Sequence, residues 1–130
     1  MTIALVCAAV LAALVFGLGA NVTRLRAAAA GRGGSQAPTD PSDPLFIAIR
    51  AHGNAAEYIP TLIVLSLLVG SRAPAWTLAF VIGATAARLA HAWGMLAARS
   101  WADVTRRRTV GAAGTYLFGL ALAGTVLATL

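Results

Sequence analysis

A chain of 130 residues that is 59% hydrophobic and only 11% charged is too apolar for an ordinary soluble domain, and its mean hydropathy is +0.80. The net charge of +6 comes from ten arginines and no lysine; they sit at the ends of apolar runs, without a nucleic-acid-binding motif, so a membrane surface explains them and nucleic acid is not an expected partner. The lone Cys7 excludes an internal disulfide and, lying in an apolar run, is expected to be a small packing residue.

The first segment covers residues 2–22. Its apolar stretch, residues 3–20, carries no charge and is long enough to span a bilayer. A cleaved signal peptide would carry a basic start and a shorter apolar core, so an uncleaved span is expected. Arg24 and Arg26 follow, and then AAAAGRGGSQAPTDPSDP, which reads as a loop of about 20 residues. Asp43–Pro44 supplies a helix start, with Asp as the cap and Pro at the first position.

The second segment covers residues 44–69. Its first half is interrupted by Arg50, His52, Asn54 and Glu57, its second half is almost wholly apolar, and Pro60 is expected to bend it just beyond Glu57. A short turn with Arg72 leads to the third segment, residues 75–98, which carries Arg88, His91 and Met95 on one face. Residues 99–108 form the next loop, with Trp101 expected at the membrane interface and a basic cluster at Arg106, Arg107 and Arg108. The fourth segment covers residues 109–130, with Thr115 and Tyr116 near its start. Gly111, Gly114, Gly119 and Gly124 recur along it, which favours close helix packing. The expected architecture is an all-α integral membrane protein, one four-helix bundle over residues 1–130.

The first and third loops hold most of the arginines, the middle loop holds one, and the tails hold none. The positive-inside rule then puts both termini outside and the two rich loops in the cytoplasm. Residues 50–57, Arg88, His91 and Tyr116 all fall in the cytoplasmic half, so polar groups from three helices are expected in one layer around a cavity that opens to the cytoplasm.

Charged groups at membrane depth are costly and are read as functional by default. Arg50, Asn54 and Glu57 follow the i, i+4, i+7 rule and share one face. Arg50 and Glu57 are about 10 Å apart along the axis. That stripe of cation, amide and carboxylate suits a zwitterion. An interhelical ion-pair network among Arg50, Glu57 and Arg88 would be a purely structural alternative, but the excess of arginine leaves positive charge for an anion. His52 lies off the stripe. No metal site is expected.

The pattern Arg50-Ala51-x-x-Asn54-x-x-Glu57-Tyr58-x-Pro60 resembles the second-helix signature of the MAPEG family, the membrane-associated proteins of eicosanoid and glutathione metabolism. The resemblance covers the whole chain: four spans, a long first loop, a short second loop and Arg88-x-x-His91 in the third span. Arg108-x-x-Gly111 resembles bacterial members, which implies a bacterial inner membrane. The resemblance implies a homotrimer with glutathione bound as co-substrate between subunits. It implies that Arg50, Asn54, Glu57 and Tyr58 hold the ends of glutathione, that Arg24 reaches the site, and that Arg88 and His91 line it. Two carboxylates and one ammonium fit an arginine-rich site with one Glu. Met95 departs from the family pattern, since it stands where the best-known enzymes have a tyrosine. Arg108 then becomes the candidate for stabilising the thiolate, and Tyr116 a substitute phenol.

The expected function is therefore a glutathione transferase or peroxidase acting on lipophilic electrophiles or hydroperoxides from the bilayer. The alternatives are a non-catalytic member of the same kind, a small proton-coupled exporter using Glu57, and a haem-binding bundle using His52 and His91.

Overall fold

The computed structural model describes residues 1–130 and is all helical. Its four long helices are α1 (Thr2–Gly31), α2 (Pro44–Arg72), α3 (Leu78–Leu96) and α4 (Arg106–Leu127), with one turn of 3-10 helix at Ala75–Thr77 before α3. All four are long and apolar enough to cross a membrane. Large apolar side chains such as Phe16, Leu117 and Leu120 point outward. Water penalises that arrangement and a lipid surface does not.

Helix α1 runs well past residue 22, so the loop expected at about 20 residues shrinks to residues 32–43. The reason is local. Ala27 to Ala30 are the strongest helix formers and prolong α1 beyond its apolar stretch. Gly33 then adopts φ 68°, the left-handed conformation that closes a helix end, and Gly34 N–H donates to Ala29 O at 2.9 Å.

Helix α2 starts where the sequence places it. Pro44 is in the first turn, and the Asp43 carboxylate accepts from Leu45 N–H at 2.7 Å. The helix continues through Pro60 without interruption.

Helix α4 begins at Arg106, ahead of the expected residue 109. Thr105 is the cap. Its Oγ1 accepts from Arg108 N–H and donates to Gly94 O, each at 3.3 Å, tying the end of α3 to the start of α4. Three arginines in a first turn oppose the helix dipole. Two of them fold back onto aromatic rings: Arg107 lies 4.5 Å from the Trp93 centroid and Arg108 4.0 Å from that of Trp101.

Helix α1 packs mainly on α2, and α3 mainly on α4. The core between the pairs includes Leu11, Ile59, Val69, Val81, Met95 and Leu122. The α3–α4 contact is close because glycines face it. A Cβ on Gly111 would lie 2.5 Å from His91 N, and one on Gly94 2.5 Å from Arg108 N. The expected glycine row on α4 therefore divides. Gly111 and Gly114 meet α3 closely, Gly119 makes ordinary contact with Leu62, and Gly124 meets nothing within 4 Å.

Candidate functional site

The polar residues of three helices converge. Asn54 and Tyr58 from α2, Arg88 and His91 from α3, and Thr115 and Tyr116 from α4 line one small cavity of about 20 Å³. Arg88 is the deepest, with 1% exposure, and its Nη2 donates to Asn54 Oδ1 at 2.9 Å. Its guanidinium lies 5.4 Å from the Tyr58 ring centroid. Its Nε–H is buried and has no hydrogen-bond partner. The side-chain partner of this buried cation is thus a neutral amide, not a carboxylate, so Arg50, Glu57 and Arg88 do not form the ion-pair network weighed above.

His91 is 6% exposed, and its Nδ1 is 2.8 Å from Arg108 O. A carbonyl can only accept, so Nδ1 donates. In the neutral ring Nε2 then carries the lone pair. Tyr58 and Tyr116 close the outer side, with hydroxyls 2.9 Å apart and rings in edge contact at 5.8 Å. One hydroxyl donates to the other, which leaves a single O–H for a ligand.

Outside the tyrosines, Glu57 lines a largely apolar groove of about 390 Å³ between α2 and α4 with Tyr58, Leu62, Tyr116 and Leu120. Glu57 itself is exposed. Arg50 is also exposed and lies 5.0 Å from the Trp101 centroid.

On the single chain, Arg24, the Arg108 guanidinium and the Met95 side chain do not line this cavity. Arg24 is exposed, donates to Asn21 Oδ1 at 2.9 Å, and borders a different groove of about 500 Å³ with Pro44 and Arg99. The Arg108 guanidinium is used by the loop before α4: Nη1 donates to Trp101 O at 2.8 Å and to Asp103 O at 3.3 Å. Met95 is 1% exposed and belongs to the apolar core. Its position therefore does not border the cavity. His52 packs toward Gly19 of α1, whereas His91 bonds to α4. The two histidines face different helices, which removes the geometric basis of a shared haem.

Trp101 is the residue that sequence reasoning undervalued. It was expected to be an interface aromatic, yet its ring carries both Arg50 and Arg108 and its backbone N–H donates to Pro41 O at 2.8 Å. The available signal was a tryptophan among arginines, where cation–π contacts are common. Trp101→Ala is expected to free the segment before α4 and speed tryptic cleavage after Arg99 severalfold, measured by timed digestion in detergent.

The family model described as the MAPEG family matches residues 4–128, nearly the whole chain. No curated protein and no solved structure matches it.

Proposed function

Since the chain belongs to the MAPEG family, we propose that this multi-pass membrane protein binds glutathione and transfers its sulfur to lipophilic electrophiles, or uses it to reduce lipid hydroperoxides. The observation that carries this reading is the junction of two environments. A carboxylate and two tyrosines stand at one end of an apolar groove, and a buried arginine without a carboxylate partner lies directly behind them. A polar tripeptide and an apolar partner both find their chemistry there.

In this reading Arg50 pairs a glutathione carboxylate in a bidentate manner, and Glu57 takes its ammonium. Asn54 and Tyr58 supply hydrogen bonds between those ends. Tyr116 offers its O–H at the groove. Arg108 serves as a positioning residue, through its carbonyl on His91 and its hold on Trp101. The thiolate attacks the electrophilic carbon, a C–S bond forms, and the leaving group departs with its electron pair. With a hydroperoxide, two glutathione molecules supply the two electrons and end as the disulfide, and the products are an alcohol and water.

A homotrimer is part of the proposal. Arg50 and Glu57 are exposed on the single chain, and Arg24 borders a separate groove, which fits a site completed by a neighbouring copy. The arginine distribution supports both termini outside and a site open to the cytoplasm, and the Arg108-x-x-Gly111 pattern is the ground for placing the protein in a bacterial inner membrane.

Isothermal titration of the purified protein with glutathione tests the reading. Saturable binding supports it, and the absence of binding refutes it. Turnover with a lipophilic electrophile then separates an enzyme from a member that only binds.

A further inference from the structure

We propose that the groove between the ends of α1 and α3 holds the phosphodiester of an anionic phospholipid, with Arg24 and Arg99 as its two cationic arms. This site is separate from the glutathione site and does not depend on it.

The first observation is place. Asn21 and Arg24 of α1, Ser42 just before α2, and Arg99 just after α3 line one groove of about 500 Å³. That is the size range of ligand sites. The charge-free apolar stretch of α1 stops at residue 20, and Arg24 lies about 6 Å beyond it along the axis. Arg99 follows Leu96, the last residue of α3, by three positions. Both guanidiniums therefore stand where an apolar span gives way to headgroups, at the same end of the bundle.

The second observation is charge. No carboxylate lines the groove. The nearby acidic side chains are occupied by backbone N–H groups: Asp40 accepts from Ser42 at 2.8 Å, Asp43 from Leu45 at 2.7 Å and Asp103 from Ser100 at 3.0 Å. Arg24 Nη2 donates to the neutral Asn21 Oδ1 at 2.9 Å. Both arginines are exposed. Two guanidiniums on one groove suit a phosphate, whose oxygens accept paired N–H bonds. Ser42 adds a hydroxyl. Asn21, whose carbonyl is taken by Arg24, has its amide N–H groups left to donate.

The third observation is construction. The Trp101 backbone N–H donates to Pro41 O at 2.8 Å, which ties the chain after α3 to the chain before α2. The walls that carry Arg99 and Ser42 are thus held side by side. Leu25, Ile47 and Leu96 supply an apolar part of the lining, and Leu96 is 43% exposed. A free phosphate ion gains nothing from that apolar wall, whereas the glycerol and first methylenes of a lipid do. With two cations and no carboxylate, the groove selects a net negative headgroup over a zwitterionic one.

Helices α1 and α3 meet on one edge of the bundle, and α2 and α4 on the other. The lipid groove lies on the first edge and the groove of Glu57 and Tyr116 on the second. Both can be filled at once. Arg24 is then committed to its own chain, and other residues of a neighbouring copy complete the glutathione stripe.

The test is native mass spectrometry of the full protein in detergent, with phosphatidylglycerol and phosphatidylcholine supplied in equal amounts. Wild type is expected to hold a single phosphatidylglycerol per subunit and to prefer it about twentyfold. Arg24→Gln and Arg99→Gln should each cut that preference about fivefold, and the double variant should bind the two lipids within about threefold of each other. Arg32→Gln removes an exposed arginine from the same end without touching the groove, and should keep the preference. Thermal unfolding checks that each variant is folded; if the double variant is not, Arg99→Gln decides alone. Millimolar inorganic phosphate should leave the lipid bound, and displacement by it would make the occupant a free anion and overturn the proposal. Equal preference in wild type and the arginine variants overturns it, as does an equal loss in Arg32→Gln. So does an Arg24→Gln variant that binds glutathione more weakly yet keeps its lipid. Failure of wild type to bind glutathione would sink the glutathione reading and leave these lipid readouts untouched.

Discussion

Gly111→Ala is expected to cost about 2–4 kcal/mol of stability and to lower the melting temperature in detergent by on the order of 10 °C. The added methyl group would lie 2.5 Å from His91 N and 2.7 Å from both Ala87 O and His91 Cα. These are backbone atoms of α3, and they cannot rotate away as a flexible side chain would. The helices must therefore separate. Separation pulls Arg108 O from His91 Nδ1, so the same change should damage the site as well as the fold. Gly124→Ala is the control, because nothing lies within 4 Å of the added atom. On helix propensity alone it should be neutral or stabilise by up to about 1 kcal/mol. Equal losses in the two variants, measured by thermal unfolding, would contradict the close α3–α4 contact.

Arg50→Ala and Glu57→Gln are each expected to weaken glutathione binding by roughly 10- to 100-fold, with the double variant below detection. Both side chains are exposed on the isolated chain, so removing them leaves no unsatisfied buried partner. The stability of each variant should stay within about 0.5 kcal/mol of wild type. That separation of binding from stability is the useful part. Asn54→Ala would not give it, because Asn54 is the hydrogen-bond partner of buried Arg88. Titration calorimetry beside thermal unfolding checks both quantities in the same samples. Unchanged affinity in both single variants would exclude the stripe as the clamp.

Much of the fold was legible because apolar length and helix punctuation act locally. Asp43–Pro44 opened α2 as expected, since a carboxylate cap and a proline with no N–H both satisfy the first turn. The family resemblance rested on α2, where residues at helical spacing share a face regardless of tertiary context. The ends of α1 and α4 were harder. Ala27–Ala30 looked like part of a glycine- and proline-rich loop, but alanine continues a helix until Gly33 stops it. The Arg106–Arg108 cluster was placed in the loop, yet it forms the first turn of α4. Its compensation lies in Trp93 and Trp101, which only the fold brings near.

The site divided in the same way. Residues on one helix could be grouped by periodicity, which is why Arg50, Asn54 and Glu57 were found together. How deep each one sits depends on the neighbours. Arg88 and His91 gained their meaning from α2 and α4, through Asn54 Oδ1 and Arg108 O. Met95 shared their face by counting, yet the packing of α3 against the core took it out of the cavity. Arg108 was a reasonable candidate by position, and only the carbonyls of Trp101 and Asp103 reveal where its guanidinium is engaged.

Native mass spectrometry of the purified wild-type protein with glutathione tests the central claim most directly, because it reads subunit number and bound mass together. The expected result is a trimer that carries glutathione and loses it on combined Arg50→Ala and Glu57→Gln substitution. A protein that carries no glutathione at saturating concentration would contradict it.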